Sequence, residues 1–234
     1  MAKKVTYKLI NNTKLKETSF NGITMHPLYL QVSYDGKATY IKSYYFDLFQ
    51  KERFIKVITL NLLFTPKMEE VILAEEKVIE FLLKEHSDDF DLAKIKHWYK
   101  YWTGDMTDIF LKSFQKDLLF VFSDYNMPEL GKILAISLEN LSFKTIRENL
   151  IDFSKEGYKK IFDNYFIQDN PFFTLNEFMN DELNCTYLSR FMWKNIDIQN
   201  RFNDFVTKKY PNCDLNSIYK KINDKLILDR PFKD

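Results

Sequence analysis

Glycine is scarce in this chain, five residues in 234, which excludes the many tight turns that a fold of numerous short strands needs. Cysteine is scarcer. Cys185 and Cys213 lie 28 positions apart without a paired-spacing motif, so neither a disulfide framework nor a zinc site is indicated, and a reducing cytoplasm is the expected compartment. No run approaches the roughly 20 apolar residues of a membrane-spanning helix. The opening MAKKVTY lacks the apolar stretch of a signal peptide. Histidine occurs three times, as His26, His86 and His97.

Apolar residues are plentiful. Hydrophobic residues make up 45% of the chain and aromatics 17%, which argues for a folded globular protein rather than a disordered one. At this length the chain can bury a sizeable core, either as one domain or as a small module joined to a larger body.

The formal net charge is only +1, but it is unevenly placed. Residues 1–44 hold Lys3, Lys4, Lys8, Lys14, Lys16, Lys37 and Lys42 against Glu17 and Asp35, a local excess of +5 that leaves −4 for the remainder. A basic module on a slightly acidic body points to a polyanion at one end.

That basic end reads as β structure. The segment VTYKLI at 5–10 is β-branched and aromatic and predicts a strand. Residues 11–24 are polar, contain Gly22 and have no period, so they read as a loop. After Pro27 come LYLQVSY at 28–34, Asp35-Gly36, and KATYIKSY at 37–44. Asp-Gly between two alternating runs is a strong hairpin signal, because a type I′ turn needs positive φ at both central residues. A two-residue loop then sets Tyr34 opposite Lys37, Val32 opposite Thr39, Leu30 opposite Ile41 and Leu28 opposite Ser43. The aliphatic residues share one face. The other carries Tyr29, Gln31, Ser33, Ala38, Tyr40 and Lys42, joined by Thr6 and Lys8 if Val5, Tyr7 and Leu9 pack inward.

Beyond residue 50 the period becomes helical. Pro66, Glu69 and Glu70 precede Val71, Ile72, Val78, Ile79, Leu82 and Leu83, an amphipathic helix to about His86. Further helices are expected near 92–102, 105–124, 127–140, 142–166, 174–183, 187–209 and 214–227. The fold class is therefore α+β: a three-stranded antiparallel sheet in a module at 1–50, then a mainly helical body at 51–234.

The order of strand, Lys/Asn/Thr/Ser-rich connector and HPLYLQVSYDGKATYIKS resembles the N-terminal arm-type DNA-binding domain of phage-integrase-like tyrosine recombinases, especially those of Bacteroidetes mobile elements. Pro27, Leu28, Tyr29, Leu30, Val32, Asp35, Gly36 and Lys37 carry the match, whereas Gln31 stands where that family often has a basic residue. The clear match covers about a fifth of the chain; the segment 172–232 is more weakly similar to the helical core-binding domain of such recombinases. The resemblance implies that the sheet's polar face enters a groove of duplex DNA while basic side chains hold phosphate. The residues themselves fit that role in part, since a two-stranded ribbon matches the major groove, yet an ordinary solvated sheet face carries the same residue types. The expected contacts are Lys8, Tyr29, Gln31, Ser33, Lys37, Tyr40 and Lys42.

No catalytic domain is expected. A tyrosine recombinase needs Arg and His around the scissile phosphate and a recurrent His-x-x-Arg step, and none of the three histidines here is followed by one. Asp88, Asp89 and Asp91 beside His86 read as helix caps rather than metal ligands. No phosphate-binding glycine loop, nucleophile elbow or zinc-protease helix occurs. Trp98, Tyr101 and Trp102, within the cluster of His97, Trp98, Tyr99, Tyr101 and Trp102, share a helical face and read as core, as does the stripe Phe110, Phe114, Leu118 and Val121. Lys155, Lys159 and Lys160 form either a solvated helix face or a secondary phosphate patch. The expectation is thus a non-enzymatic, cytoplasmic DNA-binding accessory or regulatory protein of a mobile element, without cofactor or membrane contact. Its partners would be duplex DNA and a recombinase or other mobile-element protein. The alternative is a protein-interaction or structural helical protein.

Overall fold

The computed structural model describes residues 5–20, 22–48, 67–87, 90–139, 141, 143–153, 156, 170–185 and 187–232. The chain divides into two compact units, Met1–Thr103 and Gly104–Asp234. Two small sheets and three of the described helices fall in the first, and the other described helices in the second. The architecture is α+β.

Strands β1 (Thr6–Asn11), β4 (Leu28–Tyr34) and β5 (Lys37–Lys42) form an antiparallel sheet in the order β1-β4-β5. Tyr34 pairs with Lys37, Val32 with Thr39 and Leu30 with Ile41, as the Asp-Gly turn dictates. Asp35 and Gly36 have φ of 53° and 72°, the signature of a type I′ turn. Leu28, Leu30, Val32 and Ile41 are buried on the inner face.

The connector is not the featureless loop expected. Within it, β2 (Thr18–Phe20) and β3 (Ile23–Met25) form a second, two-stranded antiparallel sheet. Gly22, with φ of 81°, makes the tight reversal between them. Tertiary contact stabilises this small hairpin: Phe20 is buried and its ring stacks on Phe46 at 5.0 Å.

Helix α1 (Tyr44–Leu48) follows β5 directly, and α2 (Met68–Glu85) and α3 (Ile95–Thr103) complete the first unit. Glu70 receives the Lys67 amide at 2.9 Å, and Glu69 and Glu70 in the first turn complement the helix dipole. The buried positions of α2 are Val71, Glu75, Val78, Ile79 and Leu82, an apolar stripe with one acid in it. Asp91 accepts the Ala93 amide at 2.8 Å ahead of α3, the capping role expected of it; Asp88 and Asp89 lie outside the described residues. Tyr101 and Trp102 are buried in edge-on contact with each other, and Trp102 also meets Phe81. Trp98 is half-buried and stacks on His86 at 4.5 Å.

In the second unit, α4 (Met106–Asp124) begins at Asp105, whose carboxylate accepts both the amide and the hydroxyl of Thr107, at 2.9 and 2.8 Å. It packs against α5 (Pro128–Ser137). Gly131 permits the close approach: a Cβ there would lie 2.8 Å from Phe122 Cβ and 3.2 Å from the Leu118 carbonyl. Phe110, Phe114, Leu118 and Val121 are buried as expected. Helices α6 (Phe143–Phe153), α7 (Pro171–Asp181), α8 (Arg190–Trp193), α9 (Ile196–Lys209) and α10 (Leu215–Leu228) follow. Phe114 stacks on Phe172 at 4.5 Å, and Phe202 lies 5.2 Å from Trp193 and 5.3 Å from Phe178.

Two helix boundaries depart from expectation for one reason: an asparagine starts a helix. Asn170 accepts the Phe172 amide with Pro171 at the first helical position, so α7 begins at 171 rather than 174. Asn195 accepts the Asp197 amide and divides the expected helix 187–209 into α8 and α9. Of the expected helical stretch beyond 153 only Glu156 is described, and Lys155, Lys159 and Lys160 lie outside the described residues, as does the expected module boundary near residue 50.

Candidate nucleic-acid interface

Antiparallel register assembles the outer face of the sheet into rows. Lys8, Gln31 and Tyr40 form one row across β1, β4 and β5; Ile10, Tyr29 and Lys42 form the next; Thr6, Ser33 and Ala38 form the third. Six of the seven residues expected from sequence to touch DNA are thereby brought together. Lys8, Tyr40 and Lys42 are exposed, and Tyr29, Gln31 and Ser33 are half-buried.

Lys37 is set apart. It pairs with Tyr34 at the hairpin tip, on the face shared with Val32, Thr39, Leu30 and Ile41, because side chains alternate every residue along a strand. Its place in a motif string said nothing of its face. Ile10 instead joins the outer face, beside Tyr29.

Among the described residues, the charged side chains on the outer face of the three strands are Lys8 and Lys42. Lys8 has no ion pair among the described residues. Lys42 Nζ lies 2.7 Å from Asp47 Oδ2 in α1. Gln31, at the centre of the face, offers an amide donor and a carbonyl acceptor side by side, the pattern that can pair with an adenine edge. The two tyrosines present a phenolic hydroxyl and an aromatic face each.

The sheet's inner face is held from below by polar as well as apolar contacts. The Tyr7 hydroxyl donates to Glu80 of α2 at 3.0 Å, and burial together with that bond pushes the phenol's pKa up. Deeper, Glu75 is completely buried. Its carboxylate accepts the Ser43 hydroxyl at 2.5 Å, the Tyr45 amide at 3.1 Å and the Tyr99 hydroxyl at 2.5 Å. The Tyr99 hydroxyl in turn accepts the Tyr44 amide at 2.8 Å, and Ser43 Oγ accepts the Phe46 amide at 3.0 Å. One carboxylate therefore fixes the corner where β5 turns into α1. Burial raises the Glu75 pKa above the ordinary carboxylate value, and burial beside Glu75 raises that of Tyr99 well above the ordinary phenol. Sequence reading missed this network, although its signal was present: Glu75 stands at helical spacing inside the stripe Val71, Val78, Ile79 and Leu82.

Elsewhere among the described residues, ion pairs cluster in the second unit. In the second unit Glu177 and Asp181 of α7 bind Arg147 and Lys209, with Lys209 Nζ 2.6 Å from Glu177 and 2.5 Å from Asp181. An open groove of about 540 Å³ runs beside α4 and α10, where Asp108, Asp117 and Asp224 alternate with Lys112, Lys221 and Lys225. The histidines sit in three different places: His26 in the connector against the Leu15 carbonyl and Glu17, His86 at the end of α2, and His97 in α3. Among the described residues no group of His, Cys, Asp or Glu is arranged to hold a metal ion, and no helix is long and apolar enough to cross a membrane.

No protein-family model, no curated protein and no solved structure matches the chain.

Proposed function

We propose that the chain is a non-catalytic duplex-DNA-binding protein, an accessory or regulatory factor of a mobile genetic element, that docks the outer face of its N-terminal sheet into a DNA groove. One observation carries the reading. The register gathers Lys8, Tyr29, Gln31, Tyr40 and Lys42 on one solvent-facing surface, and among the described strand residues the charges on it are the two lysines. Lysines at the edges of the face hold phosphate, which positions the sheet, and Gln31 with its tyrosine neighbours meets base edges, which supplies sequence preference. The resemblance of residues 5–45 to arm-type domains of integrase-like recombinases points the same way.

The helical unit then serves a second contact, to another DNA segment or to a protein such as a recombinase. Protein contact is favoured by large apolar side chains that stand in solvent on α4 and α5: Phe120 is 66% exposed, Ile133 60% and Ile136 64%.

The test is fluorescence anisotropy of a labelled DNA duplex titrated with the full chain at several salt concentrations. Affinity should fall steeply as salt rises, and Lys8→Gln should lower the slope of log affinity against log salt by about one. An unchanged slope in that variant would remove Lys8 from the interface.

A further inference from the structure

Lys8 and Lys42, the cations of the outer face among the described residues, differ in what they already hold. Lys8 points into solvent with no ion pair among the described residues, whereas Lys42 rests 2.7 Å from the Asp47 carboxylate. Both partners of that pair stay half open to water, at 50% and 41% side-chain exposure. A carboxylate oxygen at this distance gives the ammonium group what a phosphate oxygen would give it, an anionic acceptor.

Asp47 is also kept close by the fold. It lies in α1, whose start is fixed by Ser43 and by the Tyr45 amide, both bonded to buried Glu75. The Asp47 amide itself donates to the Ser43 carbonyl. The backbone that carries the carboxylate is therefore anchored, so Asp47 leaves Lys42 only by turning its side chain.

Resting on the DNA-binding reading above, we infer that Asp47 is a built-in competitor, occupying on Lys42 the place of a nucleic-acid phosphate. Docking exchanges carboxylate for phosphate at that lysine, and Asp47 lowers the affinity of the sheet for any polyanion. Exposed ion pairs are weak, so the restraint is modest, about two- to fivefold in affinity at low salt. It fades as salt screens the pair.

The experiment compares the wild type, Asp47→Asn, Asp47→Ser, Lys42→Gln and the Lys42→Gln/Asp47→Asn double variant on one labelled duplex at low and moderate salt. Both Asp47 variants should bind two- to fivefold more tightly at low salt, and the gain should shrink to less than half when Lys42 is absent. An unchanged or weaker Asp47→Asn, or the same gain without Lys42, overturns the competitor role. Failure of every protein, wild type included, to bind duplex at low salt overturns the DNA reading itself, and the competitor role with it.

Discussion

Removing the carboxylate of Glu75 should loosen the first unit far more than its single charge suggests. The acid is completely buried and accepts three donors, the Ser43 hydroxyl, the Tyr45 amide and the Tyr99 hydroxyl. In Glu75→Leu all three lose their acceptor while the site stays closed to water. At about 1–3 kcal/mol for each stranded donor the ceiling is roughly 3–9 kcal/mol. Rotation of the two hydroxyls and the gain from replacing a desolvated carboxylate by an apolar group offset part of it, leaving a net loss of about 2–4 kcal/mol. Glu75→Gln keeps one acceptor oxygen for Ser43 and Tyr45 and strands only the Tyr99 proton, so it should cost about 1 kcal/mol or less. The pH dependence has a definite sign. Because burial raises the folded pKa above the ordinary value of 4.5, the stability that Glu75 contributes is full below that value and is lost as pH rises through the folded pKa. The wild type should therefore gain on Glu75→Gln when the pH is lowered from about 7 toward 5. Urea unfolding followed by tryptophan fluorescence reads this, since Trp98 and Trp102 belong to the unit in question. Glu75→Leu within about 0.5 kcal/mol of the wild type, or Glu75→Gln as damaging as Glu75→Leu, would refute the reasoning.

Other consequences test separate parts of the structure. Gly131→Ala should destabilise the second unit by about 1–2 kcal/mol despite alanine's better helix propensity, because the new Cβ meets Phe122 Cβ at 2.8 Å; a higher melting temperature would contradict it. Gly36→Ala forces an alanine to adopt a φ of 72° in the hairpin turn and should cost about 1 kcal/mol in urea unfolding. Asp105→Ala removes the acceptor of the Thr107 amide and hydroxyl and should cost about 1–2 kcal/mol, with Asp105→Asn recovering most of it.

The parts of the fold that were legible in sequence are those where local chemistry leaves one choice. Asp35-Gly36 admits a single turn type, and that turn fixes the register of β4 and β5 and hence which residues share the outer face. The apolar stripes of α2 and α4 were equally plain, being long and periodic. The β2–β3 hairpin was not, because three-residue strands carry no period and its stability comes from Phe20 against Phe46, a contact distant in sequence. Asn170 and Asn195 read as loop residues until their side chains are seen accepting amides at helix starts. Of the candidate site, Lys37 stands apart from the other six because alternation turns it to the other face. The pairing of Lys42 with Asp47 was invisible because it depends on the corner that Glu75 holds.

Duplex-DNA binding by the outer face of the N-terminal sheet is the proposed function. The most direct measurement is anisotropy on a labelled duplex at low salt, comparing the wild type with Lys8→Glu/Lys42→Glu and with Lys208→Glu/Lys220→Glu, a matched reversal of exposed lysines on α9 and α10. Binding should be salt-sensitive, lost when the sheet lysines are reversed and largely kept when the helical ones are. Equal loss in both variants, or no binding by the wild type, would contradict it.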